Sequence, residues 1–162
     1  FYFLIPSVMP ICKHEDFLLQ TKQHKNLLGI DHGSKLIGIA ISNKELFIAT
    51  PLTTIVRKKQ NTDFNELFKI IKEKDIGGIV VGLPLNMNGT KGPRCQSVET
   101  FFRNFLTFYD IALLFQDERM SSQAIEKIFI SQDVSRKKRS SNIDKHAACW
   151  ILQSALDFLK KR

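Results

Sequence analysis

Residues 27–42 read Leu27-Leu28-Gly29-Ile30-Asp31-His32-Gly33-Ser34-Lys35-Leu36-Ile37-Gly38-Ile39-Ala40-Ile41-Ser42, two apolar runs divided by a short polar break. Leu27 to Ile30 and Ile37 to Ser42 have the length and aliphatic content of buried strands, and His32 to Lys35 is short enough to join them as a hairpin. Asn43 to Glu45 makes another turn, and Leu46 to Ala49 is expected to continue as a third strand before Pro51. From there the periodicity changes. Phe64, Leu67, Phe68 and Ile71 fall at helical spacing, which predicts a helix over 63–74. Gly77-Gly78 breaks into Ile79-Val80-Val81, a short buried strand, and a loop from Gly82 to Arg94 follows. Val98, Phe101, Phe102 and Phe105 then share one face of a second helix, and Ile111 to Phe115 forms the next strand. Ser121 or Ser122 is placed to cap a helix bearing Ile125, Ile128 and Phe129. A closing helix from about Ile143 turns Ala147, Ala148, Ile151, Leu152, Ala155, Leu156 and Leu159 inward. The expected class is α/β, a mixed sheet in which a three-strand antiparallel meander is joined by parallel strands and flanked by helices.

Composition bounds the function. The chain has 162 residues, 43% hydrophobic and 25% charged, which suits one ordinary globular domain with a real core. With 24 Lys and Arg against 16 Asp and Glu, the formal net charge of +8 favours an anionic partner. Cys12, Cys95 and Cys149 are odd in number, widely spaced and outside any metal-ligand motif, as expected of reduced, mostly buried thiols in a cytoplasmic protein. Phe1 to Met9 is apolar but short and without a basic leading region, and no other stretch is apolar enough to cross a membrane. Residues 1–25 are expected to be an N-terminal extension, disordered or an artefact ahead of a start at Met9, and 26–162 the functional domain.

Three acidic sites stand in unusual frames. Asp31 ends the first apolar run, Asp117 and Glu118 end the Ile111 run, and Asp144 precedes the Ala147-Ala148 pair on the closing helix. Each has a plain structural alternative: a turn aspartate bonding its own backbone, solvated charges after a strand, and a first-turn acid complementing the helix dipole. Strand ends and a helix start can also converge. In a basic chain, converging carboxylates suit divalent metal and phosphate, and two-metal phosphodiester cleavage needs little else from a protein.

The order of motifs resembles the YqgF/RuvX family of bacterial pre-16S ribosomal RNA nucleases, once proposed as Holliday-junction resolvases. The resemblance runs from about Leu27 to Leu156. It rests on Gly29-Ile30-Asp31-His32-Gly33-Ser34-Lys35 with Ile37-Gly38-Ile39-Ala40, Ala49-Thr50-Pro51-Leu52, and Val80 to Thr90 with Gly92-Pro93-Arg94. Asp117-Glu118-Arg119-Met120-Ser121-Ser122 and Ile143-Asp144-Lys145-His146-Ala147-Ala148 complete it. Met120 with its two serines, His32 and Lys91 depart mildly from the family pattern. The resemblance implies a ribonuclease-H-like fold and a metal-dependent endonuclease. In that reading Asp31, Glu118 and Asp144 are both the catalytic residues and the ligands of Mg²⁺ (or Mn²⁺). Successive strand residues face opposite ways, so only one of Asp117 and Glu118 can face Asp31, and the resemblance favours Glu118.

Substrate contacts are expected from Lys35 in the hairpin turn, Asn86 and Arg94 in the long loop, Arg119, and the basic run Arg136, Lys137, Lys138 and Arg139. The loop lacks P-loop spacing, so nucleoside triphosphate binding is not expected there. His32 and His146 flank ligand positions and are read as structural or exposed rather than as proton carriers. The expected partner is nucleic acid, precursor 16S rRNA or a pre-ribosomal particle, met by a monomer or homodimer with no membrane association. Branched DNA remains a second substrate. A non-catalytic RNA-binding factor for ribosome assembly or transcription is a third reading. An actin-like ATPase would need two such domains, and this length holds one.

Overall fold

The computed structural model describes residues 11–21, 25–118 and 136–160, and the side chains within them except those of 136–145 and 160. In chain order the elements are β1 (Ile11–Cys12), α1 (His14–Gln20), β2 (Asn26–His32), β3 (Leu36–Ser42) and β4 (Ala49–Val56). Then come α2 (Gln60–Glu73), β5 (Ile76–Leu83), α3 (Pro93–Phe108), β6 (Ala112–Asp117) and α4 (Arg136–Lys160). The sheet order is β1-β6-β5-β2-β3-β4. β2, β3 and β4 form the antiparallel meander, while β5 runs parallel to β2, β6 parallel to β5 and β1 parallel to β6.

Alternation along the strands sorts the core into two layers. Leu28 and Ile30 of β2, with Ile79 and Val81 of β5, face Phe64 and Leu67 of α2 and Val98, Phe101, Phe102 and Phe105 of α3. Leu27 and Val80, one step out of phase, face Phe17 of α1 and Ala148, Ile151, Leu152, Ala155, Leu156 and Leu159 of α4. The small residues on α4 let it lie close. A Cβ on Gly29 would stand 2.6 Å from the backbone oxygen of Ala148, so helix and central strand touch there without an intervening side chain.

The structure differs from the sequence expectation in four places. Leu46 to Ile48 is a turn, since Leu46 has φ 60° and the Asn43 side chain accepts from the backbone N–H groups of Phe47 and Ile48 at 2.8 and 3.1 Å. The third strand instead starts at Ala49 and passes through Pro51, which is tolerated because β4 is an edge strand whose pairing with β3 shifts register there. Arg94 belongs to the first turn of α3, with Pro93 at its start, rather than to the preceding loop. α4 begins at Arg136, so the basic run lies on the helix. The segment read as an extension contributes to the sheet at residues 11–21, where β1 lies beside β6 and Phe17 is fully buried. The helix expected after Ser121 lies outside the described residues.

Candidate active site

β2, β5 and β6 are parallel and end at one edge of the sheet, with Ile30 paired to Val81 and Gly82 to Gln116. Odd-numbered positions of β2 face α4, so Asp31 points to that layer, while His32 points to the α3 layer. On β5 and β6 it is the even-numbered positions that face this layer, as Val80 and Leu114 do, and this alternation turns Gly82 and Glu118 to the Asp31 side. Glu118 is anchored by its backbone N–H, which donates to the Leu83 oxygen at 3.1 Å. Its carboxyl lies over Gly82: a Cβ there would stand 2.5 Å from Oε2 and 2.4 Å from Cδ1 of Ile151 on α4. Glycine thus leaves the space that lets the acid reach across β5.

The two acids meet. Asp31 and Glu118 share a side-chain hydrogen bond, which two ionised carboxylates cannot form. Burial pushes the Glu118 carboxyl up to about 8, reinforced by the Asp31 charge and their hydrogen bond and opposed by Arg94. Asp117 has the opposite parity and is exposed, though its charge still raises Glu118. Such a pair of oxygen donors, held together against their own repulsion, suits a hard divalent cation that would replace the shared proton. Among the described residues no group of three His, Cys, Asp or Glu side chains is placed to hold a metal. The Asp144 side chain lies outside them, and its position is on α4.

The remaining sequence candidates divide clearly. Arg94 lies beside the acids and donates through Nη2 to the backbone oxygen of His32. Lys35 is exposed on the hairpin turn, its backbone oxygen accepting from Arg57 N–H at 2.9 Å. Asn86 is exposed in a tight turn, donating to Thr90 Oγ1 at 3.1 Å. Arg119 lies outside the described residues, as do the side chains of Arg136, Lys137, Lys138 and Arg139. His32 is structural in its setting, 4% exposed with its ring 4.4 Å from that of Phe101. Burial, with Arg57 and Arg94 nearby, lowers it to about 3, so it is neutral. His146 is half-buried on α4.

Sequence reasoning missed Arg57 and the role of Gly82. Arg57 follows β4 and donates to the Gly33 oxygen at 3.1 Å, lies 5.6 Å from the Phe101 ring, and approaches buried Asp63 at 3.7 Å. A lone arginine after an edge strand carries no sequence signal. A glycine ending the Ile-Val-Val run did carry one, a close approach at the strand end.

A model of the family described as "RuvX: Holliday junction resolvase" matches residues 25–158. The chain belongs to the RuvX family. A protein of Ruegeria sp. (strain TM1040) named "Putative pre-16S rRNA nuclease" is 47% identical over 146 residues, covering 90% of this chain and 93% of that one. One of the same name from Caulobacter vibrioides (strain NA1000 / CB15N) is 42% identical over 154 residues, 94% of this chain and 99% of that one. Among solved structures, Thermus thermophilus RuvC matches with TM-score 0.53 at 12% identity, over 84% of this chain and 96% of that one. The same protein bound to a Holliday junction substrate gives 0.51 at 12%, over 82% and 94%. These likenesses establish a RuvC-like, ribonuclease-H-type fold. Membership of this RuvX family places the chain among phosphodiester hydrolases with nucleic acid as partner. Among the described residues no helix is long and apolar enough to cross a membrane.

Proposed function

We propose that this RuvX protein is a metal-dependent endonuclease that processes the 5′ end of precursor 16S rRNA in the cytoplasm, with Asp31, Glu118 and Asp144 as its catalytic residues. The observation that carries the reading is the contact between Asp31 and Glu118 at the strand-end edge of the sheet. Two acids forced together in a basic protein cost stability in the absence of a cation, which is the signature of a site built for one. The RNA substrate is drawn from the names of the relatives.

Asp31 and Glu118 would hold the cation (Mg²⁺ or Mn²⁺), with Asp144 joining them from α4. Bound there, a divalent ion supplies Lewis-acid stabilisation of charge on the phosphoryl group and on the leaving oxygen. The protein's own contribution is positioning. The β5 edge fixes Glu118 through its backbone, Gly82 keeps the approach open, and Arg94 adds positive charge beside the acids for the scissile phosphate. Lys35 on the hairpin turn and the basic first turns of α4 extend the phosphate contacts.

The test compares cleavage of a precursor 16S RNA end and of a four-way DNA junction, with Mg²⁺ or Mn²⁺, by wild type and Asp31→Asn protein. Cutting of the RNA alone, lost in the variant and in chelator, is the expected result. Symmetric cutting of the junction would instead assign a resolvase, which needs a dimer presenting two sites. No cleavage with equal RNA binding by both proteins would leave a binding factor.

A further inference from the structure

On the other face of β2 from Asp31 lies a groove of about 610 Å³ between the hairpin turn, the start of α2 and the first turns of α3. Ser34, Arg57, Arg94, Gln96, Ser97 and Thr100 line it, and among the described residues no carboxylate does. Two guanidiniums, three hydroxyls and amides on a wall without acids make a donor-rich surface. The N-terminus of α3 borders the groove at Pro93 and Arg94, and no side chain caps it, so its backbone N–H groups and dipole add positive potential.

A buried ring gives the second observation. His32 also lines the groove and is 4% exposed, yet its Nε2 has no hydrogen-bond partner among the described residues. Arg94 Nη2 stands 3.4 Å from the Nδ1 of the same ring. Arg57 Nε is likewise buried without a hydrogen-bond partner, 3.7 Å from Asp63.

We propose that this groove binds a backbone phosphodiester of the nucleic-acid strand, a second anchoring point through the sheet edge from the carboxylates. The proposal rests on the nuclease reading for its partner, but not on turnover. Arg94 spans both faces, touching His32 on one and acting on Glu118 on the other, so a strand can pass from the groove over the edge to the acids.

The experiment measures binding of a fluorescein-labelled single-stranded RNA to the full chain in EDTA, where no cleavage occurs. Gln96→Glu and Thr100→Glu place a carboxylate in the groove at exposed positions of α3, and Thr107→Glu makes the same charge change at the far end of that helix. Unchanged thermal melting establishes that all three are folded. The groove variants are expected to weaken binding about tenfold and to lower the slope of log K against log salt by about 1. Thr107→Glu is expected to bind within about twofold of wild type. Equal binding by all three variants and wild type overturns the groove. Amide shifts of residues 94–97 with inorganic phosphate but not with RNA would make it a free-phosphate site and overturn the strand contact. Absence of cleavage in Mg²⁺ with the binding pattern intact defeats the nuclease reading while the groove stands.

Discussion

Gly29 and Leu152 hold β2 and α4 in direct contact: a Cβ on the glycine would lie 2.5 Å from the Cβ of the leucine. Gly29→Ala therefore pushes against helix backbone, which cannot swing aside as a side-chain tip can. We expect a loss of about 1–3 kcal/mol in urea unfolding. Because α4 also carries Asp144, cleavage by the folded fraction should fall as well. A stability equal to wild type would show that the helix rides higher than described.

Gly82→Ala makes a contrasting case. Its added methyl meets the ends of the Glu118 and Ile151 side chains at 2.5 and 2.4 Å, which can move. The expected cost in stability is under about 1 kcal/mol, whereas Mn²⁺ affinity, read by titration calorimetry, should drop about 10- to 100-fold. Undiminished affinity would remove Glu118 from the proposed ligand set.

Glu118 ties stability to pH with a definite sign. Its folded carboxyl, raised from 4.5 to about 8, keeps a proton that the unfolded chain has already released. Metal-free protein should therefore lose stability as pH rises from about 4.5 through about 8. Glu118→Gln has no proton to lose. Relative to wild type it is expected to gain of order 2 kcal/mol at alkaline pH and little near pH 4.5, in thermal melts with chelator. Mn²⁺ should raise the melting temperature of wild type and not of the variant. A gain independent of pH would contradict the forced-pair geometry.

His32 acts at the acid end. Its folded value of about 3 lies below the ordinary 6.5, so the stability it contributes is present above 6.5 and lost as pH falls toward 3. His32→Phe keeps an aromatic ring beside Phe101 and Phe102 and leaves the backbone oxygen that Arg94 bonds. Acid unfolding of this variant is expected to begin about one pH unit lower. An identical acid limb would mean that other groups govern it.

How far the sequence was readable follows from what each signal reports. Leu27 to Ile30 and Ile37 to Ser42 announce strands because burial on both faces leaves continuous apolar runs. Leu46 to Ile48 looks equally apolar, but Asn43 hydrogen-bonds their backbone into a turn, and Phe47 and Ile48 are exposed. Hydrophobic periodicity on α4 begins only near Ile143, since the Arg136 to Arg139 turn has no apolar stripe to mark it. At the site, strand parity allowed only one of Asp117 and Glu118 to face Asp31 without saying which, and it was the family resemblance that pointed to Glu118, whose carboxyl lies beside Asp31. The Arg57 cluster stayed invisible because its contact with Gly33 spans 24 residues and depends on how β4 leaves the sheet.

Consecutive residues Asp31 and His32 face opposite layers, and this makes pairing errors self-exposing. A one-residue slip of β2 would drive a carboxylate into the Phe101–Phe102 aromatic cluster and turn an imidazole toward Glu118. Such a molecule would bury an unpaired charge, so it should be culled by its own instability before it could accumulate as a folded but inactive species. Quality control over the carboxylate edge is in this way written into the alternation of a single strand.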